Sequence, residues 1–338
     1  MQIYNDITEI IGGTPLVQLN RLPQQYDCVA EIVLKLESLN PAKSVKDRIS
    51  ISMVAEAERS GLLTPGESTI IESTSGNTGI GLAMVCAAKG YRMILTIPEN
   101  MSQERMQLVK AYGAEIVTTP AALDMSGAIA RANELLATIP NSFSPQQFSN
   151  PANPKIHYTA TGVELWEETD GDLDAVVLGV GTGGTLTGAG RYLKQQNPDL
   201  QLIAIEPTLS PVLSGGCPHV HNLQGIGAGF IPDVLRVDLI DEVMIVSEEQ
   251  AYQVGRELAK QEGILSGIST GAAVYAALQL GQKAKWAGKR IVVIQPSGGE
   301  RYLSTPLFAK TADNGESNVT VSEVSPASEA TSTDDQSI

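Results

Sequence analysis

The segment STIIESTSGNTGIGLAMVCAAKGYRMILTI, residues 68–97, contains the clearest succession of strand and helix signals in this chain. Its first five residues predict a β-strand, and the apolar stretch 80–89 predicts a helix that ends at Gly90. The apolar run 92–97 then predicts a second strand. A strand, a helix and a strand in this order form a βαβ unit, in which the two strands run parallel.

Strand-like and helix-like segments alternate from about Glu31 to Pro296, which favours the α/β class with parallel sheets flanked by helices. A second βαβ unit is predicted by a strand at 175–180, a helix that ends before Asn197 and a strand at 202–205. Further helices are predicted at about 103–112, 127–138 and 156–168, and further strands at 115–119 and 290–294. The spacing of Ser247 and Gln250 predicts a capping box at the start of a helix that ends at Gly263.

The length of 338 residues allows two domains with a cleft between them. We expect a smaller, mobile lobe at residues 35–150 and a larger lobe formed by residues 1–34 and 151–308. From residue 309 onward the sequence is rich in Ser, Thr, Glu, Asp and Ala and has no aromatic residue. Such a segment buries too little surface to offset its ordering entropy, so 309–338 is predicted to be a disordered acidic tail.

The composition narrows the possible partners and compartment. A formal net charge of -15 and a pI near 4.7 disfavour nucleic acid, because polyanion binding needs concentrated Lys and Arg. The N-terminal residues do not resemble a signal peptide, and no apolar run is long enough for a membrane span. The three cysteines form no CxxC pair, which is typical of a reduced compartment. We therefore expect a cytoplasmic protein with no membrane partner.

Lys46 lies in the segment NPAKSVKDR, residues 40–48, and is the candidate reactive amine. A primary amine forms a Schiff base with an aldehyde. A cation in the first turn of a helix opposes the helix dipole, and this should lower the lysine pKa. Alone, the pattern favours a solvated lysine near a helix N-terminus, capped by Ser44, and only its sequence context reverses this interpretation. Asp47 and Arg48 could pair locally with a purely structural role.

Two polar loops accompany this lysine. TSGNT, residues 74–78, joins a predicted strand to a predicted helix, and its hydroxyls and amides suit a carboxylate. GTGGT, residues 181–185, follows another predicted strand and offers backbone N–H groups to a phosphate. An amine, a carboxylate loop and a phosphate loop together indicate a pocket for pyridoxal 5'-phosphate.

Other interpretations of these segments remain open. Gly179 to Gly184 also satisfies G-x-G-x-x-G after a strand, and Glu206 lies near the spacing of the ribose-binding acid in dinucleotide folds. A nicotinamide enzyme is therefore an alternative, although it leaves Lys46 and the first loop without a role. Cys217, His219 and His221 could suggest a metal, but no fourth ligand is nearby, and we expect none. His157 is expected to be a structural histidine.

The sequence resembles the cysteine synthases, or O-acetylserine sulfhydrylases, over about residues 3–308. These enzymes belong to the fold-type II, tryptophan synthase β-like group of pyridoxal phosphate enzymes, with two lobes and the cofactor in the cleft between them. The matching motifs are IGGTPL 11–16, SVKDR 44–48, TSGNT 74–78, MSQER 101–105, QFSNPANP 147–154, GTGGT 181–185, QGIGAGFIP 224–232 and GERYLST 299–305.

The resemblance implies a role for each matching position. Lys46 would bind the cofactor covalently, Asn77 would contact its ring hydroxyl, and Ser269 would face the pyridine nitrogen. The phosphate would be held by Gly181, Thr182, Gly183, Gly184 and Thr185. The substrate carboxylate would be bound by Thr74, Ser75, Thr78 and Gln147, and Gly225 would begin the loop that lines the entrance.

The resemblance also implies the reaction and the partners. O-acetyl-L-serine would lose acetate to give an α-aminoacrylate, which sulfide would attack to give L-cysteine. The family further implies a homodimer and, often, a complex with serine acetyltransferase, whose C-terminal peptide enters the active site. Relatives that use serine and homocysteine, as in cystathionine β-synthase, or O-phosphoserine or thiosulfate, are the nearest alternatives. A regulatory or binding protein with little turnover is the alternative from a different class.

Overall fold

The computed structural model describes residues 3–100 and 102–309. The predicted acidic tail lies outside the described residues from residue 310 onward, as does Met101 of the MSQER motif. The strands are β1 Leu16–Gln18, β2 Glu31–Leu36, β3 Thr69–Ser73, β4 Arg92–Pro98, β5 Glu115–Thr119, β6 Ser142–Phe143, β7 Ala175–Gly179, β8 Gln201–Pro207, β9 Glu242–Val246 and β10 Arg290–Gln295. The α-helices are α1 Arg21–Gln25, α2 Lys46–Arg59, α3 Asn77–Lys89, α4 Gln103–Ala111, α5 Asp124–Thr138, α6 Ala152–Ile156, α7 Gly162–Glu168, α8 Gly184–Gln196, α9 Glu248–Glu257 and α10 Ile268–Gly281.

The strands form two sheets. A six-stranded sheet has the order β1-β2-β10-β7-β8-β9, in which the β1–β2 pair is antiparallel and the other pairs are parallel. A four-stranded parallel sheet has the order β5-β4-β3-β6. The predicted α/β class with parallel sheets flanked by helices is confirmed.

The βαβ unit of residues 68–97 is confirmed as β3, α3 and β4, with Thr69 paired to Arg92. Gly90 ends α3 in the left-handed conformation, with φ +74°, a backbone geometry that glycine adopts without steric cost. The helix begins at Asn77, three residues before the predicted apolar stretch, because the last two residues of the TSGNT loop belong to its first turn.

Two further helix predictions are confirmed with changes in detail. Ser247 and Gln250 form the predicted capping box, and α9 continues through a π-helical turn to Gly263. The helix predicted at 156–168 instead consists of α6, a π-helical turn His157–Thr161 and α7. In π-helical turns the hydrogen bonds span five residues, so the apolar periodicity alone did not reveal them.

The sheets place their loops at a common cleft. Each sheet has its own apolar core: residues such as Val177 and Val293 pack in the larger sheet, and Ile70 and Leu95 pack in the smaller one. The TSGNT loop follows the carboxyl end of β3, and the GTGGT loop follows the carboxyl end of β7. Among residues 3–100 and 102–309, no helix is long and apolar enough to cross a membrane.

Candidate active site

A cavity of about 590 Å³ lies between the two sheets. It is lined by most of the residues that the sequence singled out: Lys46, Thr74, Ser75, Asn77, Thr78, Gln147, Gly181, Thr182, Gly225 and Ser269. An adjoining small pocket shares Lys46 and Thr182 with this cavity and is lined also by Gly183 and Thr185. Gly184 lines neither space, since it is packed against Asn153 as the first residue of α8.

Lys46 is the first residue of α2, a helix that packs in the core of the smaller sheet, and it lines the cavity. Burial lowers the pKa of its amine to about 8, and the nearby Glu37 carboxylate opposes this shift. The expected direction is therefore found, but desolvation rather than the helix dipole is its main cause. The Ser44 hydroxyl accepts a hydrogen bond from the Lys46 main-chain N–H at 3.2 Å, although Val45 is the N-cap residue.

Asp47 and Arg48, the residues next to Lys46, bind structural partners that the sequence did not predict. Arg48 does not pair with Asp47: its guanidinium donates to Glu37 at 2.6 Å and to Glu164 at 2.7 Å. Asp47 accepts the main-chain N–H of Ala42 at 2.6 Å. The prediction that Asp47 and Arg48 pair with each other is thus wrong, because the two side chains bind different partners: Asp47 binds Ala42, and Arg48 binds Glu37 and Glu164.

The TSGNT loop is held by Gln147, a residue far away in sequence. The Thr78 hydroxyl donates to Oε1 of Gln147 at 2.6 Å, and Nε2 of Gln147 lies 3.4 Å from the Thr74 hydroxyl. These hydroxyl and amide groups face the cavity and can bind a carboxylate. The structure brings Gln147 together with this loop, and its role in binding the substrate carboxylate stays a prediction.

Glu72 supports the same loop and was missed by the sequence reasoning. Its Oε2 accepts hydrogen bonds from the Gln146 N–H at 3.0 Å and the Ser144 hydroxyl at 3.2 Å. Gln146 has a φ of +53°, so this carboxylate holds a strained turn directly before Gln147. Burial raises the pKa of Glu72 to about 7.

The GTGGT loop forms a cradle that side chains cannot enter. A β-carbon at Gly181 would lie 2.4 Å from the main-chain oxygen of Gly225, and Gly183 has a φ of +80°. The loop leads into the N-terminus of α8, a helix of 13 residues. Backbone N–H groups at a helix N-terminus form a site for a phosphate.

The structure contradicts the dinucleotide interpretation of this loop. Glu206 is buried, and its carboxylate accepts the N–H groups of Leu213 at 2.7 Å and Ser214 at 3.0 Å, together with the Ser214 hydroxyl. Both oxygens are therefore occupied by the following loop. Because its side chain is only 2% exposed and is held by this loop, Glu206 is not placed to bind a ribose.

His157 has partners at both ring nitrogens, as expected of a structural histidine. Nδ1 lies 2.9 Å from the Thr161 hydroxyl, and Nε2 lies 3.2 Å from the Thr185 hydroxyl. Burial holds the pKa of His157 well below its usual value, so the ring is neutral. Its contact with Thr185, in the GTGGT loop, could not be predicted from the sequence.

Cys217, His219 and His221 are not among the residues that line this cavity. The Cys217 side chain is exposed, and Nε2 of His221 lies 2.9 Å from the main-chain oxygen of Gly227. Within residues 3–100 and 102–309, no cluster of three His, Cys, Asp or Glu side chains is placed to hold a metal ion.

The comparisons with known proteins identify the class to which this fold and cavity belong. A family model described as pyridoxal-phosphate dependent enzyme matches residues 7–297, and the chain belongs to this family. The cysteine synthase of Staphylococcus aureus is 54% identical over 308 residues, which cover 90% of this chain and 97% of that protein.

Solved structures agree with this result. A cysteine synthase of Entamoeba histolytica matches with a TM-score of 0.89 and 43% identity, and 93% of each chain is covered. Isoform 3 of O-acetyl serine sulfhydrylase from the same organism matches with a TM-score of 0.88 and 42% identity, with 93% of this chain and 94% of that chain covered. The resemblance to cysteine synthases is confirmed.

The residues present fit the family's cofactor. The side-chain-free cradle before α8 suits its phosphate, and the amine of Lys46, with a pKa of about 8, suits its aldehyde. Ser269 lies in the first turn of α10, is 4% exposed and lines the same cavity. A neutral hydroxyl suits a pyridine nitrogen that is not protonated.

Proposed function

We propose that this chain is a cysteine synthase that converts O-acetyl-L-serine and sulfide into L-cysteine and acetate. The observation that carries the proposal is the meeting of the Lys46 amine, the TSGNT loop and the GTGGT cradle in one cavity. The cysteine synthase relatives, which match nearly the whole described chain, support the choice of reaction.

The cofactor is held by the cavity's own groups in this proposal. Lys46 binds it covalently, Asn77 contacts the ring hydroxyl, and Ser269 faces the pyridine nitrogen. Its phosphate lies at the N-terminus of α8, against Gly181, Thr182, Gly183, Gly184 and Thr185. Bound pyridoxal phosphate withdraws electrons from the substrate α-carbon, so that the α-proton and acetate can leave.

The substrate is held by its carboxylate. Thr74, Ser75, Thr78 and Gln147 bind it through hydroxyl, amide and backbone groups, and Gly225 begins the loop at the entrance. The Lys46 amine, when displaced from the cofactor, takes the α-proton at Nζ. A pKa of about 8 leaves a useful fraction of this amine neutral near physiological pH.

Movement of residues 35–150 over the substrate is part of the proposal. This lobe carries the four-stranded sheet and the TSGNT loop, while residues 1–34 and 151–308 carry most of the larger sheet and the GTGGT loop. Arg105 of α4 donates to the side chain of Gln224 at 2.6 Å, a contact between residues 35–150 and the larger lobe. Closure excludes water from the reacting groups.

The experiment that tests the function combines spectroscopy with product analysis. The purified protein, supplied with pyridoxal phosphate, should show a visible band that changes on addition of O-acetyl-L-serine and returns on addition of sulfide. Cysteine and acetate should form in equal amounts. The Lys46→Ala variant should bind no cofactor that borohydride reduction can fix to the protein.

Matched reactions separate the alternatives. Serine with homocysteine, O-phosphoserine with sulfide, and O-acetylserine with thiosulfate are assayed under the same conditions. Faster turnover with any of these pairs would reassign the substrate, and cofactor binding without turnover of any pair would favour a regulatory protein. A protein that shows no visible band with pyridoxal phosphate would contradict the whole proposal.

We also propose a homodimer, a complex with the C-terminal peptide of serine acetyltransferase and a cytoplasmic location. Exposed apolar side chains of the N-terminal segment, Ile3, Ile7 and Ile10, support a contact between two copies. The free cysteines Cys28, Cys86 and Cys217 support a reducing compartment. Light scattering of the purified protein, with and without the acetyltransferase peptide, tests the first two proposals.

A further inference from the structure

Arg301 lies in the GERYLST segment after β10 and connects parts of the cavity wall that are distant in sequence. Its side chain is 7% exposed. Nη1 donates to Oδ1 of Asn77 at 2.8 Å, and Nη2 donates to the main-chain oxygen of Ala42 at 2.8 Å. One guanidinium therefore contacts both the first residue of α3 and the loop that leads to Lys46.

The chemistry of this guanidinium fixes the orientation of the Asn77 amide. Arginine has hydrogen-bond donors and no acceptor, so only the amide oxygen of Asn77 can face it. The amide nitrogen must then point the other way. Because Asn77 lines the cavity, its side chain presents an N–H donor to the cavity at this position and not an oxygen.

The loop before Lys46 is fixed by the same group. Both main-chain polar groups of Ala42 are hydrogen-bonded: its oxygen accepts from Arg301 at 2.8 Å, and its N–H donates to Asp47 at 2.6 Å. The side chain of Asn77 and the loop before Lys46 are thus held by one hydrogen-bonded assembly. Charges near Arg301 are mixed, with Asp47 and Glu300 negative and Arg105 positive.

We propose that Arg301 is a positioning residue, which orients the Asn77 amide to donate a hydrogen bond to the ring oxygen of pyridoxal phosphate and stabilises this oxygen as an anion. The proposal rests on the proposed function, since it assumes that the cavity binds this cofactor. Arg301 acts through Asn77 and does not itself touch the cofactor.

The test compares two cofactors, pyridoxal 5'-phosphate and its analogue 3-deoxypyridoxal 5'-phosphate, which lacks the ring oxygen. Dissociation constants are measured by titrating the apoenzyme and following visible absorbance. The wild-type protein should bind the natural cofactor at least about tenfold more tightly than the analogue, because a hydrogen bond to a charged group is lost. A purely structural arginine would affect the two cofactors equally.

Three variants complete the test. The glutamine in Arg301→Gln can accept as well as donate a hydrogen bond, so the Asn77 amide is free to turn. The ratio of the analogue's dissociation constant to that of pyridoxal phosphate should then fall towards one. Arg301→Lys has donors only and should keep most of the preference. Arg256→Gln is the matched control, since Arg256 donates to the main-chain oxygen of Leu307 and lies outside the cavity lining. It should leave both dissociation constants within about twofold of wild type.

The outcomes distinguish this inference from the proposed function. If the wild-type protein forms cysteine and Arg301→Gln keeps the wild-type preference for pyridoxal phosphate over the analogue, the inference is overturned and the proposed function stands. Wild-type protein that binds neither cofactor would overturn the proposed function. If circular dichroism shows that Arg301→Gln does not fold, Arg301→Lys decides: a preference within about threefold of wild type supports the inference, and a preference near one overturns it.

Discussion

A β-carbon at Gly184 would lie 1.8 Å from Oδ1 of Asn153, so the start of α8 is in direct contact with this buried amide. The amide nitrogen of Asn153 donates to the Thr182 hydroxyl at 3.0 Å and to the main-chain oxygen of Gln147 at 2.8 Å. Asn153 therefore joins the cradle proposed for the phosphate to the residue proposed for the substrate carboxylate. A shift of either group must move the other.

Gly184→Ala should weaken the binding of pyridoxal phosphate by at least about tenfold, because the new methyl group displaces Asn153 or the first turn of α8. The measurement is a titration of the apoenzyme by visible absorbance. In the Asn153→Ala background the obstacle is absent, so the same glycine substitution should cost much less. Equal effects in the two backgrounds would show that the contact is unimportant.

The rate at which the apoenzyme forms its visible band with pyridoxal phosphate should rise with pH and level off above about 8. Burial lowers the pKa of Lys46 to about 8, and only the neutral amine attacks an aldehyde. Below this pH the rate should fall roughly tenfold per pH unit, in proportion to the neutral fraction. Stopped-flow absorbance between pH 6 and about 10 measures the profile, and a midpoint near the ordinary lysine pKa would contradict the role of burial.

Glu72→Gln should stabilise the protein above neutral pH. The pKa of Glu72 is raised from 4.5 to about 7 by burial, so between these values the folded protein binds more protons than the unfolded chain. Ionisation of Glu72 therefore costs stability as pH rises through this window, and glutamine removes the cost. The difference in unfolding free energy between Glu72→Gln and wild type should grow by about 3 kcal/mol from pH 4.5 to about 7.5 in urea titrations.

Glu115→Gln is the control for this effect. Glu115 is half exposed and pairs with Arg92, and its pKa is lowered, not raised. The control variant should show no stabilisation that grows between pH 4.5 and about 7. A similar pH dependence in both variants would mean that the burial of Glu72 is not its cause.

Arg48→Met should destabilise the protein by about 3 to 5 kcal/mol, because it leaves the buried carboxylate of Glu37 without its cation. Arg48 and Glu37 are 1% and 0% exposed in their side chains. Arg92→Met, which removes an exposed pair with Glu115, should cost less than about 1 kcal/mol. Urea unfolding of the apoenzymes measures both, and equal losses would contradict the importance of burial.

Much of the fold could be predicted from the sequence because its signals are local. The βαβ unit at 68–97, the stop at Gly90 and the capping box at Ser247 depend on apolar periodicity and on backbone geometry within a few residues. The glycine cradle at 181–185 was recognisable for the same reason. The π-helical turn at His157 was missed, since its apolar pattern differs little from that of an α-helix.

Local residue patterns were enough to place each reactive group on a strand, a helix or a loop. The tertiary structure assigned the partners of these groups: Arg48 meets Glu164 across 116 residues, and Arg301 meets Asn77 across 224. It also decided that Glu206 is bound by its own following loop and that burial sets the pKa of Lys46. The physical reason is that hydrogen bonding within a helix or turn depends on neighbours in the chain, whereas burial and charge pairing depend on segments that the two sheets bring together.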